Sequence, residues 1–170
     1  MKQFIISIDA GTTSNRSILF DLKGKPVFSS QKEFTQYFPT SGWVEHNPEE
    51  IWRTTLKTLK DVIQKAKRLK GKILSIGITN QRETTVLWDK KTGKPVYNAI
   101  VWQDRRQEEF CKKLRKQNKD TMIFNKTGLL IDSYFSGTKI KWILDNVSKA
   151  KQLMNKKQLL FGTIDSFLIW

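Results

Sequence analysis

Cysteine and histidine are scarce in this chain, which has one of each among its 170 residues, Cys111 and His46. One cysteine excludes an internal disulfide and any multi-cysteine metal site, and one histidine removes most zinc sites and most Ser-His-Asp triads. Any bound metal is therefore expected to be a hard cation on oxygen ligands. Cys111 stands in a candidate helix and is predicted to lie in the core. His46 has no second histidine or cysteine near it in sequence, so a structural or solvent-exposed position is expected rather than a catalytic role.

Long apolar runs are missing as well. No stretch approaches the roughly 18 consecutive apolar residues that a membrane helix needs, and the N-terminal segment reaches the carboxylate of Asp9 too soon for a signal peptide. We therefore expect a soluble, cytoplasmic protein with no membrane span. Hydrophobic residues make up 38% of the chain and aromatic residues 11%, which is enough for a packed core, so wholesale disorder is not expected.

Acidic residues are few beside basic ones. The 31 lysines and arginines exceed the 16 aspartates and glutamates by 15 charges, which raises nucleic acid or another anionic surface as a partner. The basic residues cluster at 65–72, 112–116 and 156–157, lysine dominates arginine, and no segment matches an RNA-binding or helix-turn-helix signature. The favoured interpretation is a solvated, lysine-rich surface, with no nucleic acid partner.

The first half of the chain has strand signals followed by a strong helix start. No internal repeat, low-complexity tract or linker is visible, so one domain, or part of one, is expected. Residues 5–9, 17–21 and 26–34 predict three consecutive antiparallel strands. Asn47 as cap, followed by a proline and, three residues after the cap, a glutamate, predicts a helix that runs to about Leu69. Its apolar residues recur every three or four positions, so one face should pack on a sheet.

The second half alternates shorter elements. Residues 73–79 form an apolar run typical of a buried strand, and residues 84–88 and 96–102 predict a hairpin. Helices are expected over residues 105–116 and 137–146. Three strands, a helix and a further strand indicate an α/β domain.

The last twelve residues predict a short strand and then an apolar segment capped by Thr163 or Asp165. The final residues, Phe-Leu-Ile-Trp, carry no C-terminal helix signal and no polar tail. An apolar face of this kind must be buried against something, so the chain is expected to be truncated relative to a longer one.

Residues 9–16, Asp-Ala-Gly-Thr-Thr-Ser-Asn-Arg, lie between two predicted strands and combine groups that suit a nucleotide phosphate. Candidate phosphate ligands are Gly11, Thr12, Thr13, Ser14 and Arg16. The glycine allows close backbone approach, the hydroxyl residues offer O–H and N–H donors, and the guanidinium supplies charge. Asp9 could hold Mg²⁺ directly or through water. The segment lacks the G-x-x-x-x-G-K-[ST] pattern of a P-loop, and on residue types alone a polar β-turn explains it about as well.

The order strand, Asp-x-Gly-Thr-Thr-Ser-x-Arg, strand resembles the first phosphate motif of the carbohydrate kinases in the actin and hexokinase superfamily. Segments 42–46, 77–84, 97–103 and 134–142 resemble the glycerol kinases, so the resemblance covers nearly the whole chain. It implies a ribonuclease-H-like α/β fold with a mixed sheet, ATP-dependent phosphorylation of glycerol to glycerol 3-phosphate, ATP and Mg²⁺ as cofactors, and a homo-oligomeric complete protein. Ala10 and Asn15 stand where the family commonly has glutamine and serine, although both positions can act through the backbone.

A polyol site needs convergent donors and acceptors beside an apolar wall. Arg82 is donor-only and ionised Glu83 acceptor-only, so the pair could fix two hydroxyls at the end of the strand predicted over residues 73–79. Without the family, this pair would be an ordinary surface pair, and Trp102 and Tyr134 could be packed aromatics. The resemblance implies that Arg82, Glu83 and Tyr134 contact glycerol hydroxyls and that Trp102 forms the wall.

In glycerol kinases the base is an aspartate of an Asp-Gln motif well beyond residue 170, and the adenosine site belongs mainly to a second domain. The resemblance thus implies that residues 1–170 are an incomplete N-terminal carbohydrate-kinase domain without a catalytic base, inactive alone. Nothing identifies Asp104 or Asp165 as a base. A related pentulose or polyol kinase, a non-catalytic truncated product and a basic binding module remain alternatives, and the Arg82–Glu83 pair with Trp102 favours glycerol over the first.

Overall fold

A computed structural model of the protein describes residues 2–170. In chain order its elements are β1 (Lys2–Ala10), β2 (Ser14–Asp21), β3 (Pro26–Glu33), β4 (Glu45–His46), α1 (Pro48–Arg68), β5 (Gly71–Asn80), β6 (Val86–Asp89), β7 (Ala99–Ile100), α2 (Glu108–Lys116), α3 (Asp120–Thr127), α4 (Ser136–Asn146), α5 (Ser148–Asn155), β8 (Leu159–Gly162) and α6 (Ile164–Ile169). They form two compact units. The sheet unit contains residues 2–36, 47–81 and 164–170, and the helical unit contains residues 37–46 and 82–163.

The sheet unit is built on a four-stranded mixed sheet in the order β3-β2-β1-β5. β1 and β2 are antiparallel, as are β2 and β3, whereas β1 and β5 are parallel. The predicted meander and the mixed sheet are therefore confirmed. Alternate residues of β1 are buried, because successive side chains of a strand point to opposite faces. Phe4, Ile6 and Ile8 pack with Val62 and Ala66 of α1 in one apolar cluster.

Helix α1 begins as the sequence predicts. The Asn47 side chain accepts hydrogen bonds from the backbone N–H groups of Glu49 and Glu50, at 2.9 and 3.4 Å, and Pro48 occupies the first helical position. The buried stripe, however, includes Thr55 and Thr58, while Trp52 is 45% exposed. The helix therefore packs along a stripe that contains Ile51 and leaves the neighbouring Trp52 partly in solvent.

Strand β5 is present where an apolar run predicts it, but the prediction that it is buried was wrong. Leu74 and Ile76 are 46% and 48% exposed. The reason is topological: β5 is the last strand in the order of the sheet, with β1 beside it. An apolar run is typical of a strand with covered faces, and its sequence alone does not distinguish a central from an edge position.

The helical unit contains two short two-stranded ladders. β6 pairs with β8, and β7 pairs with β4, all antiparallel. The predicted hairpin between residues 84–88 and 96–102 survives only as isolated bridges, Thr85 to Ile100 and Trp88 to Pro95, because the regular ladders go to more distant strands.

The predicted helices of this unit are confirmed as α2, which begins at Glu108 rather than Arg105, and α4. The strand and helix predicted near the end are confirmed as β8 and, in the sheet unit, α6. Helices α3 and α5 were not predicted. In α3 no residue is buried, so the helix has no need of the apolar stripe by which a helix is recognised in a sequence. No helix among residues 2–170 combines the length and apolar character needed to cross a bilayer.

A buried ionic network stabilises the core of the helical unit. The Arg106 side chain is fully buried and pairs with Glu45 and Asp104, each at 2.8 Å. Its guanidinium carbon lies 3.8 Å from the centre of the Trp43 ring and 4.5 Å from that of Trp142, so the cation also stacks on aromatic faces. Asp104 therefore has a structural role in this network. Cys111 of α2 is buried as predicted, and burial raises the pKa of its thiol. His46 lies buried in β4.

Candidate functional site

The candidate phosphate segment of the sheet unit is the tip of the hairpin between β1 and β2. Ala10 pairs with Asn15 and Asp9 with Arg16, so the connection is a tight turn closed by a 3.0 Å hydrogen bond from the Gly11 N–H to the Ser14 carbonyl. A Cβ atom added to Gly11 would lie 3.1 Å from that carbonyl oxygen, closer than most side chains tolerate. The predicted strand-to-strand loop is confirmed, and its sequence fits a turn without a bulky first residue.

The polar side chains of this tip are accessible. Asp9 and Arg16 form an ion pair of 3.0 Å between side chains that are 38% and 45% exposed. Thr13 is exposed, and Ser14 accepts a 2.8 Å hydrogen bond from the Gln31 amide. Exposed ion pairs contribute little to stability, so the Asp9–Arg16 pair can exchange its partners for a ligand at small cost.

The two positions that depart from the family pattern lie in the packing beneath this tip. Ala10 and Asn15 are fully buried. The Asn15 amide donates to the Ile51 carbonyl at 3.1 Å and to the Thr54 hydroxyl at 2.6 Å, and so ties the hairpin to α1. Among the described residues its Oδ1 has no hydrogen-bond partner. Both departures therefore lie in buried positions, and the exposed donors of the tip belong to other residues.

In the helical unit, Glu83 is bound to the start of α4. Its carboxylate accepts from the Ser136 N–H at 2.9 Å and from the Ser136 hydroxyl at 2.8 Å. The N-cap residue of α4, Phe135, makes no side-chain capping bond, so a carboxylate from a distant loop supplies the cap and the favourable charge. Glu83 has a φ of 65°, a left-handed backbone that is uncommon for a non-glycine residue and often marks a functional position.

The aromatic candidates meet at the same place. The Trp102 and Tyr134 rings lie 6.1 Å apart edge to face, and Tyr134 stacks edge-on against Phe135 at 5.2 Å. Contacts thus gather Glu83, Trp102 and Tyr134 around the N-terminus of α4. Arg82 is exposed and directly precedes Glu83 in the chain. Trp102, which was expected in a strand, follows β7 in a turn and is half-buried.

Sequence reasoning missed Lys139, which is fully buried beneath these residues. Its ammonium donates to the Ser133 carbonyl at 2.9 Å and to the Tyr134 carbonyl. Burial disfavours the charged form and lowers the pKa of Lys139 to about 8, although Glu83, Asp104 and Asp132 pull it the other way. The signal was a lysine four residues before the buried Ile143, on the apolar face of the helix.

Residues 4–170 match the FGGY family of carbohydrate kinases, N-terminal domain. The chain belongs to this family. Over all 170 residues it is 58% identical to a glycerol kinase of Bacillus subtilis (strain 168) and 57% identical to one of Bacillus cereus (strain G9842). The chain spans about a third, 34%, of the length of these curated relatives.

Solved structures agree on the fold of this FGGY domain. The crystal structure of Plasmodium falciparum glycerol kinase with ADP matches 99% of this chain with a TM-score of 0.93 and 36% identity, over 34% of its own length. A gluconate kinase from Lactobacillus acidophilus matches 99% of this chain and 33% of its own, with a TM-score of 0.84 at 24% identity, a likeness of fold alone. The expected sugar-kinase α/β fold is therefore confirmed.

The FGGY domain offers a metal ion few ligands of its own. Among residues 2–170 no group of three or more histidine, cysteine, aspartate and glutamate side chains could hold a metal. Mg²⁺ in phosphate sites is commonly held by one or two carboxylates, water and phosphate oxygens. Asp9, an accessible carboxylate at the tip of the phosphate hairpin, fits that mode.

Proposed function

We propose that this chain is the N-terminal third of an ATP-dependent glycerol kinase, which transfers phosphate to glycerol and yields glycerol 3-phosphate. The observation that carries the proposal is identity of 56–58% to curated glycerol kinases along the entire chain. The match therefore includes the phosphate hairpin and every segment of the polyol site. The complete enzyme would be a homo-oligomer with ATP and Mg²⁺ as cofactors.

In this proposal the β1–β2 hairpin binds the phosphates of ATP. The donors would be the backbone and side chains of Gly11, Thr12, Thr13, Ser14 and Arg16. The accessible Arg16 guanidinium offers a fixed fork of donors to phosphate oxygens, and Asp9 offers its carboxylate to Mg²⁺ or to a bound water. The metal would supply charge neutralisation where negative charge builds up in phosphoryl transfer.

The polyol is proposed to bind at the start of α4. Glu83 would accept from a glycerol hydroxyl, since a carboxylate has about four lone-pair sites and Ser136 uses Oε2. Arg82 and the Tyr134 hydroxyl would fix the other hydroxyls, and the Trp102 ring would cover the carbon backbone. A substrate that lacked a hydroxyl would leave one of these groups unpaired, which is costly in a desolvated site.

The proton acceptor is proposed to lie outside these 170 residues. Asp104 is fully buried in its pair with Arg106, so it has no access to a substrate hydroxyl. Without a positioned base a kinase loses roughly 10²- to 10⁴-fold in rate. The 170-residue chain alone should therefore show no glycerol-dependent ADP release above background.

A kinase for a longer sugar is the second candidate, since gluconate and xylulose kinases share the fold at 24% identity. The test is ADP release by the complete protein with glycerol, xylulose and gluconate in parallel. We expect kcat/KM for glycerol to exceed the values for xylulose and gluconate by at least ~100-fold. A ratio of this size corresponds to about two polar contacts that are missing or unfavourable with the other substrates. Preference for xylulose or gluconate would overturn the glycerol assignment and leave the family assignment intact.

A further inference from the structure

Lys139 is the only lysine among residues 2–170 that is fully buried. It lies in the second turn of α4, where Ile143 occupies the same face one turn later. Its hydrogen bonds go to two backbone carbonyls, Ser133 and Tyr134, at the residues that lead into the helix. The ammonium also lies 6.0 Å from the centre of the Tyr134 ring.

A lysine in this place is costly for the fold. Removing an ammonium from water disfavours its charged form, and the lowered pKa of about 8 reports that cost. A methionine of similar length would fill the same apolar space without it. Residues that weaken the fold in this way are typical of functional sites, where charge is needed at one point.

Three carboxylates attract the charge of Lys139, and one of them belongs to the candidate polyol site. The carboxylates that attract it belong to Glu83, Asp104 and Asp132, with Glu83 the strongest. Asp132 in turn accepts from the Tyr134 N–H at 2.7 Å. Of the four proposed polyol ligands, Tyr134 therefore contacts Lys139 through its backbone carbonyl, and Glu83 acts on Lys139 through charge alone.

We infer that Lys139 is a positioning residue for the polyol: it fixes the backbone at Ser133 and Tyr134, which aims the Tyr134 ring, and its positive charge attracts the Glu83 carboxylate. The inference rests on the proposed function. Lys139 itself contacts no hydroxyl in this scheme. It acts through Tyr134 and Glu83, which hold the substrate in the ground state and the transition state alike.

The first test compares Lys139→Met and Lys139→Arg in the complete kinase. Because uniform binding is lost, Lys139→Met should raise the KM for glycerol about 10-fold or more while kcat changes less and the KM for ATP stays within about twofold. Lys139→Arg keeps a charge and donors and should recover part of the loss. The matched control is Lys141→Met, which removes an exposed lysine from the same helix and should leave all three constants unchanged.

The second test is the pH dependence of the wild-type enzyme. Lys139 is protonated below its pKa of about 8 and loses its charge above it, so the KM for glycerol should rise between pH 7 and 9.5. Lys139→Arg remains charged throughout and should show a flat profile. Cys111, another neighbour of Lys139, has its thiol pKa raised by burial, so it stays neutral in most of this window.

Two outcomes would overturn the inference. One is a Lys139→Met enzyme whose glycerol KM stays within twofold of wild type. The other is a parallel rise of the KM values for glycerol and ATP together with lower melting temperature, which indicates general destabilisation. If Lys139→Met does not fold, the wild-type pH profile decides, and a flat glycerol KM up to pH 9.5 rejects the role. Failure of the proposed function is distinct, since it appears in the wild-type substrate preference, and the variants can then be compared on the preferred substrate.

Discussion

The two units of the chain differ in what they bury. In the described part of the sheet unit every buried polar side chain is uncharged, and this set consists of Asn15, Ser17, Thr54, Thr55, Thr58 and Gln81. The helical unit buries Glu45, Asp104 and Lys139 together with the side chain of Arg106. Each unit contains a buried apolar cluster, and among the described residues only the helical unit adds buried charges that must be paired.

This difference parallels the kind of candidate site in each unit. The candidate phosphate hairpin, residues 9–16, is eight consecutive residues whose geometry follows from two paired strands, so its donors need little support from elsewhere. The candidate polyol site collects Glu83, Trp102 and Tyr134 from three separate loops. Such side chains keep their directions only if the residues around them are fixed, and here the buried lysine Lys139 binds the backbone at Ser133 and Tyr134. We therefore expect the helical unit to be the less tolerant of substitution.

The strongest test of this contrast is Arg106→Met. It leaves Glu45 and Asp104 buried without their cation, and breaking a buried ion pair in this way typically costs about 3–5 kcal/mol. Trp43 and Trp142 contact the guanidinium, so denaturant unfolding followed by tryptophan fluorescence reports on this region. The control, Arg105→Met, removes an exposed neighbour whose contact to Asp132 is 3.4 Å long and should cost less than about 0.5 kcal/mol. Equal, small losses in both variants would show that the network contributes no more than surface charge.

The sequence predicted the sheet unit better than the helical unit, for the same reason. Strands, turns and the Asn47 cap are local signals, and each could be found from neighbouring residues. The exposure of β5 could not, because an edge position depends on which strands pair across the sheet. In the helical unit the ladders join segments more than fifty residues apart, such as β4 and β7, and the sequence offers no local sign of that pairing.

The site was predicted unevenly. Family resemblance supplied Glu83, Trp102 and Tyr134, whose contacts at the start of α4 the structure then revealed. It did not supply the residues that support them. Arg106 looks like one more surface arginine in a basic segment, and Lys139 is one lysine among many. Both become visible only once burial is known, although a lysine on an apolar helix face was a usable hint.

The second prediction concerns the phosphate hairpin. Asp9→Asn in the complete kinase should lower kcat by roughly 10²- to 10³-fold, because the lost charge acts where phosphate charge develops in the transition state. The fold should persist, since the Asp9–Arg16 pair is exposed and worth at most about 1 kcal/mol. Asp21→Asn, a change in the turn that follows β2, is the control and should preserve turnover. Steady-state ADP release measures both constants. An unchanged kcat with a raised KM for glycerol would contradict the proposal that Asp9 acts at the phosphates and would indicate a role in binding the polyol.

The third prediction is the counterpart in the polyol site. Glu83→Gln should raise the KM for glycerol by about 10- to 100-fold, because the acceptor of a hydrogen bond loses its negative charge. The kcat should change less. Glutamine retains one acceptor oxygen for the start of α4, so the helix should remain capped. Glu108→Gln, in a half-exposed pair with Arg115, is the control. A drop in kcat equal to that of Asp9→Asn, without a change in glycerol KM, would contradict a role in uniform substrate binding.

The smallest effect is expected in the apolar packing of the sheet unit, at Gly71→Ala. A Cβ atom on Gly71 would lie 2.2 Å from the edge of the Phe4 ring, and Phe4 is only 3% exposed. The Phe4 ring must tilt into the apolar cluster beneath it, which should lower the free energy of unfolding by about 1–2 kcal/mol. This lies toward the low end of overpacking costs, because the change leaves no buried charge without a partner. Gly77→Ala, in the same strand, meets no atom within 4 Å and should change the unfolding free energy by less than about 0.5 kcal/mol. Denaturant unfolding of the 170-residue chain measures both. If Gly71→Ala lowered the free energy of unfolding as much as Arg106→Met does, apolar crowding and loss of a buried ion pair would cost the same. The energetic contrast between the two units would then be wrong.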